Sequence, residues 1–161
     1  MNRRDFICRS FGLAGLTLFP LTRVYSHDAP LNPLKLDESA WHARLTPQQF
    51  HIMRQGGTEA PWSSLLNDEK RTGTYHCAGC KLALFSSTKK YESGTGWPSF
   101  YESIPGHLDT KIDFKLIYPR TEYHCAQCKS HQGHLFNDGP KPSGKRWCNN
   151  GLALMFLADT D

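Results

Sequence analysis

The amino-acid sequence predicts a mainly β, antiparallel domain with a few short helices near its start, and three observations carry that reading. Ile112, Phe114, Leu116 and Tyr118 alternate with Lys111, Asp113 and Lys115. A period of two is that of a strand with one face buried, here the apolar one. The apolar runs at 82–85 and 152–157 have strand length rather than helix length. Glycine and proline then punctuate the rest, at Gly94, Gly96, Pro98, Pro105-Gly106, Gly139-Pro140, Pro142 and Gly144. Such breaks suit short strands and turns. The 161 residues suffice for one domain with a modest core. Hydrophobic residues at 39% and charged residues at 21% fit a folded chain rather than a disordered one. The net charge of +4 is spread along the sequence. No basic block interleaved with aromatics occurs, so no nucleic-acid partner is expected.

Residues 1–26 differ in kind from the rest of the chain. Asn2-Arg3-Arg4-Asp5-Phe6-Ile7 is a twin-arginine pattern, and a mostly apolar run succeeds it at 11–21. Paired arginines ahead of an apolar run mark a bacterial twin-arginine export signal. Cleavage is expected after Ser26, within Val24-Tyr25-Ser26, although Ala-x-Ala is absent. This predicts a periplasmic protein. The alternative is an uncleaved membrane anchor, for which the run is short of the roughly 20 residues of a span. Residues 27–40 read as a polar linker carrying Pro30 and Pro33, and 41–161 as the folded domain. A helix is predicted to start at Thr46, with Thr46 as N-cap, Pro47 in the first position and Gln49 closing a capping box. Leu45 and Phe50 have the spacing of a hydrophobic staple, and Gly56-Gly57 ends the helix. Asp68-Glu69-Lys70 marks a polar turn, and from Thr72 onward the texture is β.

One hexapeptide occurs twice. Tyr75-His76-Cys77-Ala78-Gly79-Cys80 is echoed by Tyr123-His124-Cys125-Ala126-Gln127-Cys128. Two Cys-x-x-Cys hairpins can close a tetrahedral site of four thiolates around zinc. Cys77, Cys80, Cys125 and Cys128 are therefore the predicted ligands of one structural zinc per chain. Four thiolates leave no position for water, which argues against metal-assisted hydrolysis. Disulfides among the four are the alternative in an oxidising compartment. His76 and His124 recur at matching positions and read as strand residues, not ligands. Cys8 lies in the leader, which leaves Cys148 as the thiol of the domain with no structural task.

The stretch 125–150 is dense in reactive polar types, with His131, His134, Asn137, Asp138, Arg146, Asn149 and Asn150. In a strand, Arg146 shares a face with Cys148, and a neighbouring cation favours thiolate over thiol. Alone, a cysteine flanked by Trp147 is more often an inert core residue. Two histidines three apart are ordinarily solvated turn residues. Trp97, in the glycine-flanked turn Ser93-Gly94-Thr95-Gly96-Trp97, is ordinarily core or surface filler.

Taken in order, these pieces closely resemble the B-type methionine sulfoxide reductases. The matching residues are Gly57-Thr58-Glu59-x-Pro61, Cys77-x-x-Cys80, Ser93-Gly94-x-Gly96-Trp97-Pro98-Ser99-Phe100, Cys125-x-x-Cys128-x-x-His131-x-Gly133-His134-x-Phe136-x-Asp138-Gly139-Pro140 and Gly144-x-Arg146-x-Cys148-x-Asn150. The resemblance spans about Leu45 to Phe156. It implies two antiparallel sheets in a tent-like arrangement around a structural zinc. It implies reduction of methionine (R)-sulfoxide, mainly in exposed segments of other proteins, by a monomer. Cys148 would be the nucleophile, His131 and His134 the proton donors or relays, and Asn150 their orienting partner. Trp97 and Phe136 would wall the substrate methyl group, and Arg146 would hold Cys148 as thiolate.

The chain also departs from the family pattern. Many members carry a resolving cysteine between the two glycines before the tryptophan, where this chain has Thr95. The implied consequence is a Cys148 sulfenic acid reduced directly by an external thioredoxin-like protein or small thiol. Gln132, Trp147, Asn149 and Gly151 are further departures, bearing on substrate preference more than on reaction type. Two rivals stand beside this reading. A non-catalytic zinc module would have no use for Cys148, His131, His134, Asn150 and Trp97 together. A thiol–disulfide oxidoreductase would need one Cys-x-x-Cys pair clear of metal.

Overall fold

The computed structural model describes residues 31–114 and 118–160. The export signal, Cys8, the start of the expected linker and Leu116 lie outside them. Two helices come first. In α1 (Glu38–Arg44), Asp37 caps the N-terminus by accepting from the Ala40 amide. In α2 (Pro47–Gln55), Thr46 accepts from the Gln49 amide while the Gln49 side chain accepts from Thr46 N–H, completing the predicted capping box. Gly56 ends α2 at φ +66°, a conformation cheap only for glycine. Residues 31–40 fall in the expected linker, yet Leu34 and Leu36 pack on the core and α1 begins at Glu38. Composition conceals this because the anchoring contacts are few and the exposed positions polar.

The strands are β1 (Gly73–Cys77), β2 (Ala83–Ser86), β3 (Lys90–Tyr91), β4 (Ser99–Phe100), β5 (Leu108–Asp113), β6 (Arg120–Cys125), β7 (His131–Phe136), β8 (Arg146–Asn149) and β9 (Leu154–Ala158). They form two antiparallel sheets, one of order β2-β1-β9 and one of order β3-β4-β8-β7-β6-β5. The apolar run at 152–157 is divided between a 3-10 turn, Gly151–Ala153, and β9.

The two sheets meet through aromatic rings. Tyr75 and Phe85 from the small sheet face Phe100, Tyr123 and Trp147 from the large one, and all five are buried. Phe85 stacks on Phe100 at 4.1 Å, Tyr75 meets Phe100 edge-on at 4.9 Å, and Tyr123 meets Trp147 edge-on at 4.9 Å. Each such pair contributes about 0.5–1.5 kcal/mol beyond its burial. Inward aromatics alternate with outward polar residues along the same strands, which frees the far face of the large sheet for chemistry.

The expected burial around 112–118 is reversed. Ile112 is 63% and Phe114 74% exposed, and Tyr118 is also exposed, whereas Asp113 is buried. β5 is the edge strand of the large sheet, so its apolar side runs past the aromatic core. Its other side carries Asp113 between Arg120 and His134, where charge pairing makes burial tolerable. An alternating pattern fixes which residues share a face, but not which face is covered.

Candidate active site and four-thiol cluster

The duplicated hexapeptide builds duplicated geometry. At the first hairpin the Cys77 amide donates to Leu82 O at 2.8 Å, and the Lys81 amide donates to Cys77 O. At the second, the Cys125 amide donates to Ser130 O at 3.0 Å and the Lys129 amide to Cys125 O. Lys81 and Lys129 both take left-handed φ values, +65° and +57°, just past the second cysteine. The four sulfurs lie within 4.8 Å of one another. Cys77 and Cys128 are 3.6 Å apart, Cys80 and Cys125 3.4 Å. A disulfide would need about 2.05 Å. Sulfurs around a tetrahedral zinc, each about 2.3 Å from the metal, stand about 3.8 Å from one another. The set therefore fits a metal and not two disulfides. Hydrogen bonding within the crowd pushes the Cys77 and Cys125 thiols up and pulls Cys80 and Cys128 down. The helices brace the cluster. Arg44 donates to Gly79 O at 2.9 Å, and Arg54 donates to Cys128 O at 3.1 Å while stacking on Trp41. His76 and His124 lie on β1 and β6, outside the sulfur cluster.

Cys148 lies elsewhere, in β8 on the outer face of the large sheet. One cross-strand row contains Lys111, Glu122, His134, Cys148 and Ser99, each opposite the next. Directly opposed antiparallel side chains have Cβ atoms about 4.5–5.5 Å apart. The His134 imidazole is thus the cross-strand neighbour of the Cys148 sulfur. Gly133 makes the close approach possible, because an added Cβ would strike the Cys148 carbonyl oxygen. The sulfur opens onto a cavity of about 110 Å³ lined by Thr58, Trp97, Arg120, Gly133, His134, Phe136, Cys148 and Asn150. Trp97 and Phe136 make its apolar side, and Arg120, His134 and Asn150 its hydrogen-bonding side.

Each wall is held in place. Trp97 Nε1 donates to Glu59 O at 3.2 Å. Asn150 Nδ2 donates to Gln132 O at 3.0 Å, and Asn150 Oδ1 accepts from the Glu59 amide at 3.1 Å. His134 Nε2 and Arg120 Nη2 share one oxygen of buried Asp113, at 2.9 and 2.7 Å. Burial pulls His134 below its ordinary range, against an upward pull from Asp113. His131 is not part of the cavity wall. It is buried beside His134, with ring centroids 5.4 Å apart, and its Nδ1 is 2.8 Å from Glu122. A bulge at Gln132, where the β6–β7 register shifts, brings the two histidines together despite their three-residue spacing. Burial raises Glu122, but His131 and Lys111 together bring it below its ordinary range.

Arg146 is also outside the cavity wall. Its guanidinium forks onto Asp138 with two bonds of 2.8 Å and stacks on Phe136 at 4.2 Å, fixing that ring. Burial pushes the Cys148 thiol above its ordinary value, and the charge of Arg146 and a hydrogen bond from Thr95 offset this only in part. Thr95 belongs to a hydroxyl chain in which Ser93 Oγ lies 2.8 Å from both Thr95 Oγ1 and Ser99 Oγ.

The sequence alone did not single out Asp113, Arg120, Glu122 or Lys111. The available signal was the alternation Arg120, Glu122, His124 ahead of the second hairpin, which puts charge on one face of a central strand.

The chain as a whole is similar to known proteins. The family described as the SelR domain matches residues 45–158. The chain is similar to the chloroplastic peptide methionine sulfoxide reductase B1 of Arabidopsis thaliana, 40% identical over 98% of this chain and 84% of that one. It is also similar to the mitochondrial methionine-R-sulfoxide reductase B2 of Rattus norvegicus, 48% identical over 76% and 75%. The peptide methionine sulfoxide reductase MsrB of Methanosarcina mazei is 45% identical, over 81% of this chain and 94% of that one.

Proposed function

The chain belongs to the SelR-domain family, the B-type methionine-R-sulfoxide reductases, and from that premise we propose that Cys148 is the nucleophile of a direct oxygen transfer. The observation that carries this reading is a sulfur excluded from the thiol cluster, opposite an imidazole, at the floor of a half-apolar cavity. The cavity suits a sulfoxide. The methyl group packs between Trp97 and Phe136, and the oxygen points toward Arg120, His134 and Asn150.

The Cys148 thiolate attacks the sulfoxide sulfur. The S–S bond so formed weakens the S–O bond as the oxygen takes up a proton. The hydroxyl then shifts to the Cys148 sulfur while the S–O and S–S bonds to the substrate sulfur break, so methionine leaves and Cys148 is left as a sulfenic acid. One proton enters with the oxygen. His134 hands it over, because its ring is the cross-strand neighbour of Cys148 and its Nε2 is held on the Asp113 carboxylate. His131 acts through His134 and is a positioning residue. Two external thiols then return Cys148 to thiol, forming their own disulfide and releasing the oxygen as water. Thr95 stands where an internal thiol would otherwise intercept the sulfenic acid. The donor is a thioredoxin-like protein or a small thiol.

Four-thiolate zinc, one per chain, would supply structural cross-linking between two hairpins far apart in sequence and no chemistry at sulfur. The twin-arginine pattern at 2–7 supports export to the periplasm. The test is turnover of the separated sulfoxide epimers with a dithiol reductant. The R epimer is expected to be reduced and the S epimer not; the opposite preference would sink the assignment. Mass analysis after one turnover without reductant should find Cys148 carrying one oxygen. An intramolecular disulfide there would overturn the external-thiol route.

A further inference from the structure

We propose that the groove next to the catalytic cavity binds the chain segment flanking the oxidised methionine and selects apolar side chains there; this rests on the reading of Cys148 just given. A cavity of about 110 Å³ receives the end of one side chain. The family acts on methionine within proteins, so the flanking residues must lie outside it. A groove of about 900 Å³ adjoins it, with Ile52, Leu66, Leu152, Leu154 and Phe156 among its lining.

The two spaces share a wall. Thr58 lines both, and Asn150 in the cavity is followed by Gly151 in the groove. Glu59 fixes that partition from both sides. Its main chain holds Asn150 and the Trp97 indole, and its carboxylate accepts from the Gly151 and Leu152 amides. Among the described residues this is the one carboxylate lining the groove, and no lysine or arginine lines it. The groove therefore offers a charged segment little in the way of an ion-pair partner.

The segment between the two spaces exposes apolar side chains toward solvent. Leu65 is 91% exposed and lines the groove. Trp62 is 62% exposed, and its amide donates to Gly96 O at 2.7 Å, next to Trp97. Its φ of +66° is uncommon for a bulky residue and costs free energy. Two large apolar side chains left in water on one short segment, between a reactive cavity and an apolar groove, have the character of a recognition surface. The occupant is an extended, uncharged, apolar stretch of polypeptide.

The experiment compares KM for three R-sulfoxide substrates, namely N-acetyl-methionine sulfoxide and two peptides with leucine or serine around the oxidised residue. The leucine peptide is expected to have a KM about tenfold below that of the serine peptide, and Leu65→Glu should shrink that ratio to about twofold. Leu65 is almost wholly exposed, so the substitution leaves folding intact. Equal KM values for the two peptides, or a ratio unchanged in Leu65→Glu, would overturn the groove. Failure of the wild type to reduce N-acetyl-methionine sulfoxide would instead overturn the reading of Cys148.

Discussion

The four sulfurs at the hairpin ends and the sulfur of Cys148 are the same atom in opposite settings. The four crowd one another at 3.4–3.6 Å along the pairs Cys77–Cys128 and Cys80–Cys125, and each depends on the others to settle its charge. Cys148 sits in mid-strand, with an imidazole on one neighbouring strand and a hydroxyl-bearing serine on the other. On the proposed reading, neighbours and not residue type divide structural from reactive thiols. The contrast also explains why one strand pattern serves both ends, since β6 and β7 run between the second hairpin and the reactive row.

Loss of metal should have the largest effect. Structural zinc contributes roughly 10 kcal/mol or more of apparent binding free energy, comparable with the whole stability of a typical domain. Cys125→Ser, or prolonged chelation, is expected to abolish cooperative thermal unfolding and cost all activity together. Metal analysis should give about one zinc per folded chain. A metal-free chain with an intact melting transition would erase the distinction between the two settings.

Next in size is Cys148→Ser. It should lower R-sulfoxide turnover by about 10⁴-fold or more, as loss of a covalent nucleophile does. Zinc content and melting temperature should stay near wild type. Joint loss of activity and zinc would mean that Cys148 belongs to the metal after all.

Thr95→Cys sharpens the same contrast by changing the neighbour instead of the nucleophile. Thr95 stands near enough to Cys148 to lower its thiol pKa, which makes it the position at which to place a second thiol. After one turnover without reductant, this variant is expected to join positions 95 and 148 in a disulfide, seen by peptide mapping. Wild type should instead give a product trapped by a sulfenic-acid reagent. A variant that still yields only sulfenic acid would place residue 95 too far from the reacting sulfur.

The capping box at Thr46, the paired hairpins and the β texture after Thr72 were legible in sequence because each depends on local chemistry. Cys148 and Trp97 were legible through the ordered set of motifs. The face of β5 was not. Ile112 and Asp113 alternate as any half-buried strand does, and only the position of β5 at the edge of the large sheet decides that Asp113 goes inside. The place of His131 was hidden for a related reason. The bulge at Gln132, a register shift that three-residue spacing does not reveal, sets it beside His134 and off the cavity wall. α1 was hidden because Trp41 is its one buried residue.

The smallest expected effect concerns the charge that separates the two settings. Burial raises the Cys148 thiol and Arg146 opposes it, so Arg146→Gln should raise it further. The thiolate is the reactive form, and its fraction grows as pH rises through the thiol pKa. The midpoint of Cys148 alkylation by iodoacetamide is therefore expected to move upward. At neutral pH the variant should react more slowly than wild type, and well above both midpoints the two curves should meet. The comparison is clean because Asp138, the partner left behind, is largely exposed and returns to water at little cost. Stability should move in the matching sense. A thiol with a raised folded-state pKa contributes fully below its ordinary value of about 8.5, and the contribution fades as pH rises through the folded value. An unchanged alkylation midpoint would mean that the guanidinium is spent on Asp138 and Phe136, leaving burial alone to set the reactivity of Cys148.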